Sequence, residues 1–314
     1  MKRSTYLVTG GAGFIGSATV AALTARGDVV RVLDDLSTGR AERLPPGVEL
    51  IVGSIEDPTT TRAACAGVDR VIHLAARVSV PGSWADPVAF LRTNAEGFLN
   101  VLAAAADAGA RRVVYASSCA VYGSLPGLPK REDAPLAPES PYAASKAADE
   151  SLASAFSRGA GLPTVGLRYF NVFGPGQDPS GPYGAVIPKF VEAALAGRPL
   201  EIYGDGHQGR DFVSVHDVAA ANLAAADADT PGATILNVGG GRMLTILELT
   251  AAIAEALGRE VSVIHHPPRP GDVRLSMADC AAAGETIGWR AGSRFQADLK
   301  QTISSFRALK GNIT

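Results

Sequence analysis

Tyr142 and Lys146 stand four residues apart in SPYAASKAADE, a stretch otherwise composed like an alanine-rich helix. Residues at that spacing share one helix face, so the ammonium can lie near the phenol and favour its anion. A side chain that ordinarily titrates near about pH 10 then becomes a candidate general base, most of all with a second cation beside it. Ser117 and Ser118, in YASSCAVYG at the predicted C-terminal end of a strand, can supply a hydroxyl between phenol and substrate. A tyrosine and lysine at this spacing, taken alone, describe a packed ring and a solvated amine. Other features must give the pair its reason.

The first is TGGAGFIGS, residues 9 to 17, which follows a predicted strand and opens a predicted helix. Gly11, Gly13 and Gly16 satisfy G-x-G-x-x-G, and Gly10, Gly13 and Gly16 the looser G-x-x-G-x-x-G. Such glycines allow a tight turn and close approach of backbone to a pyrophosphate, which then meets a helix N-terminus. Asp34 ends the second predicted strand 18 residues beyond Gly16, where a carboxylate accepts hydrogen bonds from an adenosine ribose and repels a 2′-phosphate. The pattern therefore favours NAD over NADP, and an oxidised nicotinamide is the second cation that Tyr142 needs. Three features converge on one crevice.

The elements that must hold these residues are legible as alternation. YLVTG, VVRVLDD, ELIVGS, RVIHLAA and RVVYASS are short apolar runs separated by helical stretches or turns, and TVGLRYF is a sixth. Runs of that kind are strands buried on both faces, so the chain is an α/β protein with a Rossmann-type, doubly wound parallel sheet and crossover helices. SATVAALTARG, NAEGFLNVLAAAADAG and AASKAADESLASAFSRG read as helices that each end on a capping glycine. FGPGQDPSGPYG and HHPPRPGD read as loops. With 314 residues, 46% of them hydrophobic, there is material for a sizeable core. A net charge of −2 leaves no basic excess for a nucleic acid or an anionic membrane. The N-terminal MKRSTYLVTGGAGF lacks a signal-peptide core, and no apolar run is long enough to span a bilayer. Three scattered cysteines, Cys65, Cys119 and Cys280, fit a reducing cytoplasm. His73, His207, His216, His265 and His266 show no metal-ligand spacing, and the charged residues of the helices read as a solvated face.

The ordered motifs TGGAGFIG, LDDLSTG, HLAA, SSCAVYG, SPYAASK, RYFNVFGPGQ, GDGHQGRDFVSVHDV and RPGDVRLSMAD resemble the extended short-chain dehydrogenase/reductases over nearly the whole chain. Within that family they are similar to the nucleotide-sugar epimerases and dehydratases. The resemblance implies tightly held NAD in a Rossmann domain, residues 1–170 plus roughly 211–238, and a UDP-sugar in a smaller lobe, residues 171–210 and 239–314. It implies Ser118, Tyr142 and Lys146 as the catalytic set. Cofactor contacts carried over by position are Gly10, Gly13, Phe14, Ile15, Gly16, Asp34, Ser37, Thr38, Gly39, Leu74, Ala75, Ala76, Asn94 and Tyr169. Ser54 and Ile55 stand where the family often has Asp or Asn before a hydrophobic residue, so adenine is held less directly. Substrate contacts implied in the same way are Ser79, Asn171, Val186, Tyr203, Arg210, Arg269, Asp272 and Ser276, the arginines suiting a diphosphate.

Related members run different reactions. Dehydratases of this type resemble one another in carrying Asp-Glu just after the active-site hydroxyl, where this chain has Cys119 and Ala120. Elimination is therefore disfavoured, and 4-epimerisation, which asks for the fewest groups, remains. In resembling epimerases a small residue at the position of Ser276 admits an N-acetyl group at C2. UDP-glucose and UDP-galactose rank first, UDP-N-acetylhexosamines next, and UDP-glucuronate 4-epimerisation is the alternative; dehydration or decarboxylation ranks lower. From a different class, an NAD-binding redox sensor would be expected to lack Tyr142, Lys146 or the arginines. The alanine-rich helices near 94–108 and 142–158, and the resemblance itself, point to a homodimer built on a four-helix bundle.

Overall fold

The computed structural model describes residues 3–178, 185–268, 273–292 and 294–311. The first half of the chain alternates as its apolar runs require. β1 (Thr5–Thr9), α1 (Phe14–Arg26), β2 (Val29–Asp34), β3 (Glu49–Val52), α2 (Pro58–Cys65) and β4 (Arg70–His73) come first. Two short helices, α3 (Val80–Ala85) and α4 (Pro87–Leu91), run through a wide π-helical turn at Arg92–Glu96 into α5 (Gly97–Asp107). β5 (Arg112–Ser118), α6 (Pro141–Gly159) and β6 (Thr164–Tyr169) complete the pattern. All six expected strands form.

The later elements are β7 (Asn171–Phe173), α7 (Val186–Leu195), β8 (Leu200–Tyr203), β9 (Gly209–Ser214), α8 (Val215–Asp227), β10 (Ala233–Val238), β11 (Met243–Thr245), α9 (Ile246–Leu257), β12 (Val263–His266), α10 (Ala281–Ile287) and α11 (Phe295–Gly311). Seven strands make one parallel sheet in the order β10-β6-β5-β4-β1-β2-β3. The order reverses between β1 and β4, and in open α/β sheets the crevice at such a reversal is where ligands lie. Tyr6, Val8, Val32, Ile72, Val114 and Leu167 pack on one face of the sheet, and Leu7, Leu33, Val71, Val113 and Tyr115 on the other. These alternating side chains are buried on both sides, which is why the strands read as continuous apolar runs.

A second body of structure follows β6. β11, β9 and β7 form a three-stranded sheet, and β12 pairs with β8. Phe173, Phe190, Phe212, Leu249, Leu299 and Phe306 are among the residues of their separate core. Residue 211 lies inside β9, whereas the chain from Val215 onward, through α8 and β10, returns to the large sheet.

Two expectations need correction. HHPPRPGD is not all loop, because His265 and His266 end β12 in register with Ile202 and Tyr203. The glycine caps hold at Gly27 (φ 89°) and at Gly109 (φ 68°), but α6 includes Gly159 and turns at Gly161 (φ 67°). That later turn delivers Leu162 into the core beside Ala153.

Candidate active site

The glycine turn joins β1 to α1 at the sheet's reversal point. Gly10 has φ 67°, and a Cβ there would stand 2.6 Å from the Ala75 backbone nitrogen; one at Gly16 would stand 2.0 Å from the Gly10 oxygen. No side chain could be added without moving backbone. α1 starts at Gly13 with no side-chain cap and no acid in its first turn, so its leading N–H groups are left to an anion. Asp34, at the end of β2, accepts from the Ala12 and Leu36 amides, each at 2.9 Å. A carboxylate has further lone pairs for a ribose.

A cavity of about 650 Å³ runs from this turn along the C-terminal ends of the strands. Gly10, Gly13, Phe14, Ile15 and Gly16 line its start, with Asp34, Ser37 and Thr38 beside them. Ser54 and Ile55 form the wall after β3, and Leu74, Ala75 and Ala76 the wall after β4. Ser118, Tyr142, Lys146 and Tyr169 line its far part. Two residues expected here are not in its wall. Gly39 lies behind Asp34, where a Cβ would meet that carboxylate at 2.6 Å. Asn94 is fully buried; its amide donates to Ser145 Oγ (3.0 Å) and its oxygen accepts from the Arg77 amide (2.8 Å). Asn94 thereby ties the π-helical turn both to α6 and to the loop after β4.

Ser117 and Ser118 both line the cavity but have different partners. Ser117, 3% exposed, donates its hydroxyl to Glu150 Oε1 at 2.6 Å. Ser118 accepts from the Ala120 amide at 3.2 Å and is the hydroxyl paired with Tyr142. Burial raises the Tyr142 phenol above its ordinary value, while the Lys146 ammonium and the Ser118 hydroxyl pull it down. The chain's own groups therefore leave the phenol protonated at neutral pH. Cys119, next after Ser118, is pushed up to about 11 by burial and is a neutral thiol at neutral pH, not a nucleophile.

A second cavity of about 290 Å³ lies among β7, α7, β8 and β9, where Asn171, Val186, Tyr203 and Arg210 line it with Glu201 and Gln208. Val172 lines both cavities. Asn171 donates to the Asp211 carbonyl at 3.0 Å, and Arg210 Nη1 to the Gly209 carbonyl at 2.9 Å. Ser79 and Ser276 line neither cavity: Ser79 caps α3 by accepting from the Gly82 amide (2.9 Å), and the Ser276 amide donates to the Gly209 carbonyl (3.0 Å). Arg269 and Asp272 lie outside the described residues.

The family model described as "NAD dependent epimerase/dehydratase family" matches residues 6–239. The chain belongs to that family. Among curated relatives of this epimerase/dehydratase chain, the UDP-glucose 4-epimerase of Mycolicibacterium smegmatis is 41% identical, over 96% of this chain and 98% of that protein. Two solved structures are close in shape. The UDP-glucose 4-epimerase of Thermus thermophilus, in complex with NAD, superposes with a TM-score of 0.89 at 41% identity, covering 96% of this chain and 99% of that one. The UDP-N-acetylglucosamine 4-epimerase of Methanobrevibacter ruminantium M1, in complex with UDP-N-acetylmuramic acid, gives 0.95 at 38% identity, covering 98% and 100%.

The structure also adds to this member of the family what its residue types concealed. Asp149 and Glu150 are not part of a solvated face. Asp149 is fully buried and binds Lys146 Nζ at 3.0 Å. Glu150 receives Arg168 Nε and Nη2 at 2.8 and 2.7 Å, and Arg168 Nη1 reaches the Tyr122 hydroxyl at 2.8 Å. The one available signal was strand-like RYF, where an arginine inside an apolar run must find a buried partner. His73, stacked on Phe98 at 4.8 Å and bonded to Thr9 Oγ1 at 2.7 Å, is held neutral by burial. Among the described residues, no group of three or more His, Cys, Asp or Glu could hold a metal ion. No helix among them is long and apolar enough to cross a membrane.

Proposed function

We propose that this chain is an NAD-dependent UDP-sugar 4-epimerase. The observation that carries the reading is the placing of Ser118, Tyr142 and Lys146 in the far part of the glycine-turn cavity, with Cys119 and Ala120, not a pair of acids, next in the chain. The glycine turn, where added Cβ atoms would collide, the uncapped α1 N-terminus and Asp34 fit a dinucleotide. Asn171, Tyr203 and Arg210, in the adjoining cavity, fit a nucleoside diphosphate. Residues 1–170 with roughly 215–238 would carry the first, and 171–214 with 239–314 the second, the expected break at 211 moving to the end of β9. Arg269, Asp272, Ser79 and Ser276 remain proposed substrate contacts from the sequence pattern.

Bound NAD supplies the two-electron acceptor and donor at sugar C4 and, oxidised, a further positive charge beside the phenol. Tyr142 takes the proton of the 4-hydroxyl, with Ser118 bridging, and Lys146 stabilises the phenolate that must precede this. Held by its nucleotide, the sugar turns and presents its other face, and Tyr142 returns the proton. No net redox change results.

UDP-glucose and UDP-galactose are the substrates of first choice. The small Ser276 and the likeness to a UDP-N-acetylglucosamine 4-epimerase support acceptance of an N-acetyl group as well. The test is to incubate purified protein separately with UDP-glucose, UDP-N-acetylglucosamine and UDP-glucuronate, without added NAD, and follow the sugar protons by NMR. A 4-epimer from either of the first two is the expected result. Conversion of UDP-glucuronate alone would move the assignment to the uronate, and a 4-keto-6-deoxy product or a pentose with carbon dioxide would overturn it.

We also propose a homodimer in the cytoplasm. Trp84 (65% exposed), Val88 (63%) and Leu91 of α3 and α4, and Leu99 of α5, are large apolar side chains left exposed on three successive helices. Large apolar surface left exposed marks association sites.

A further inference from the structure

We propose that Asp149 is a positioning residue for the reaction, aiming the Lys146 ammonium and setting how much positive charge it presents to Tyr142. The inference rests on the reading of Tyr142 as the base. Lys146 is 2% exposed, and a lysine stem has four rotatable bonds to fix. Its ammonium bonds Asp149 Oδ2 at 3.0 Å, one helical turn along α6.

The surrounding charges leave this task to Asp149. Glu150, on the same turn, is neutralised by Arg168 of β6 and also takes the Ser117 hydroxyl of β5. His73 of β4 faces Lys146 but burial keeps it uncharged, and Tyr115 of β5 is held protonated in the same way. Cys119 is a neutral thiol, and Asn94 of the π-helical turn is occupied by Arg77 and Ser145. Asp149 Oδ1, in contrast, is buried with no hydrogen-bond partner. A carboxylate left half-satisfied is a poor scaffold, because a neutral side chain would hold the helix at lower cost. Its negative charge is what a neutral residue could not supply. Burial pushes the carboxyl up and the Lys146 ammonium pulls it back down; held at 3.0 Å from that ammonium, it is the negative partner that offsets it.

The test reads Tyr142 directly. NAD-loaded protein is titrated and the phenolate absorbance of Tyr142 is isolated by subtracting the Tyr142→Phe variant treated alike. Asp149→Asn keeps an acceptor for the ammonium and removes the charge, and should lower the apparent phenol pKa by about one unit. Lys146→Met should raise it. With UDP-glucose, Asp149→Ala, which removes the acceptor too, should lose about ten- to a hundredfold in kcat with KM changed less than about twofold, while Asp149→Asn stays within about threefold. An Asp149→Asn phenol that titrates with the parent or above it overturns the proposal. Should Asp149→Ala not fold, the Asp149→Asn titration decides alone. Because that titration needs no sugar, a protein that converts none of the UDP-sugars would count against the assigned activity and leave the Asp149 result readable.

Discussion

At the scale of single residues, the proposed chemistry reduces to how the half-buried Tyr142 phenol is made to lose a proton. Burial works against Tyr142 and Lys146 works for it, so the rate should rise with pH as the phenolate forms. Lys146→Met removes the favourable charge, and the acid side of the kcat profile should move to higher pH, with kcat down by about a hundredfold or more. Tyr142→Phe should cost about a thousandfold in kcat and leave both the NAD content and the melting temperature near the parent's. Near-normal turnover in that variant would remove the base from the mechanism. Tyr142, Lys146 and the two serines could be picked out from type and spacing alone. Which serine pairs with Tyr142 could not, because both line the cavity and the choice is decided by where Glu150 waits to take the hydroxyl of Ser117. The same blindness hid Asp149: K-A-A-D in an alanine-rich helix looks like a solvated pair, and only the packing of the sheet, β5 and β6 among its strands, against α6 buries it. Glu150→Gln should be far more damaging than a surface change. It strands the Arg168 guanidinium, 4% exposed, without its counter-ion, a loss of about 3–5 kcal/mol in a denaturant titration.

At the scale of elements, the β1–α1 turn is the tightest constraint. Gly16→Ala would drive a methyl group to within 2.0 Å of the Gly10 oxygen, and relief must move the helix start away from the cavity. Retained NAD should fall at least about tenfold, measured on purified protein after gel filtration, a change worth about 1.4 kcal/mol. An unchanged NAD content would show that the turn does not set the site. This element was readable because its glycines follow a buried strand and precede a helix. The strands of the second body were not. MLT and LEIY are three and four residues long, and GRDFVS mixes charge with its apolar residues, Asp211 being buried only because its carboxylate accepts from the Gly240 and Ala278 amides. Short strands of mixed polarity take their identity from partners far along the chain, as β9 does from β7 and β11.

At the scale of the whole molecule, the exposed apolar side chains of α3, α4 and α5 carry the proposed dimer. Trp84→Glu combined with Leu99→Glu places two charges among them, and sedimentation at micromolar protein should shift from two chains to one, with little change in the melting temperature of the separated subunit. A parent protein that sediments as a monomer would remove the proposal. The sheet itself has an order of completion that its strand sequence dictates. β10 is drawn from Ala233–Val238, more than sixty residues after β6, and pairs with β6 along its full length. Until ribosomes have passed that point, β6 stands as a bare border with its amides and carbonyls unmatched. A fragment stopped at residue 170 should therefore aggregate rather than behave as a free nucleotide-binding half, because an unprotected apolar border recruits other chains.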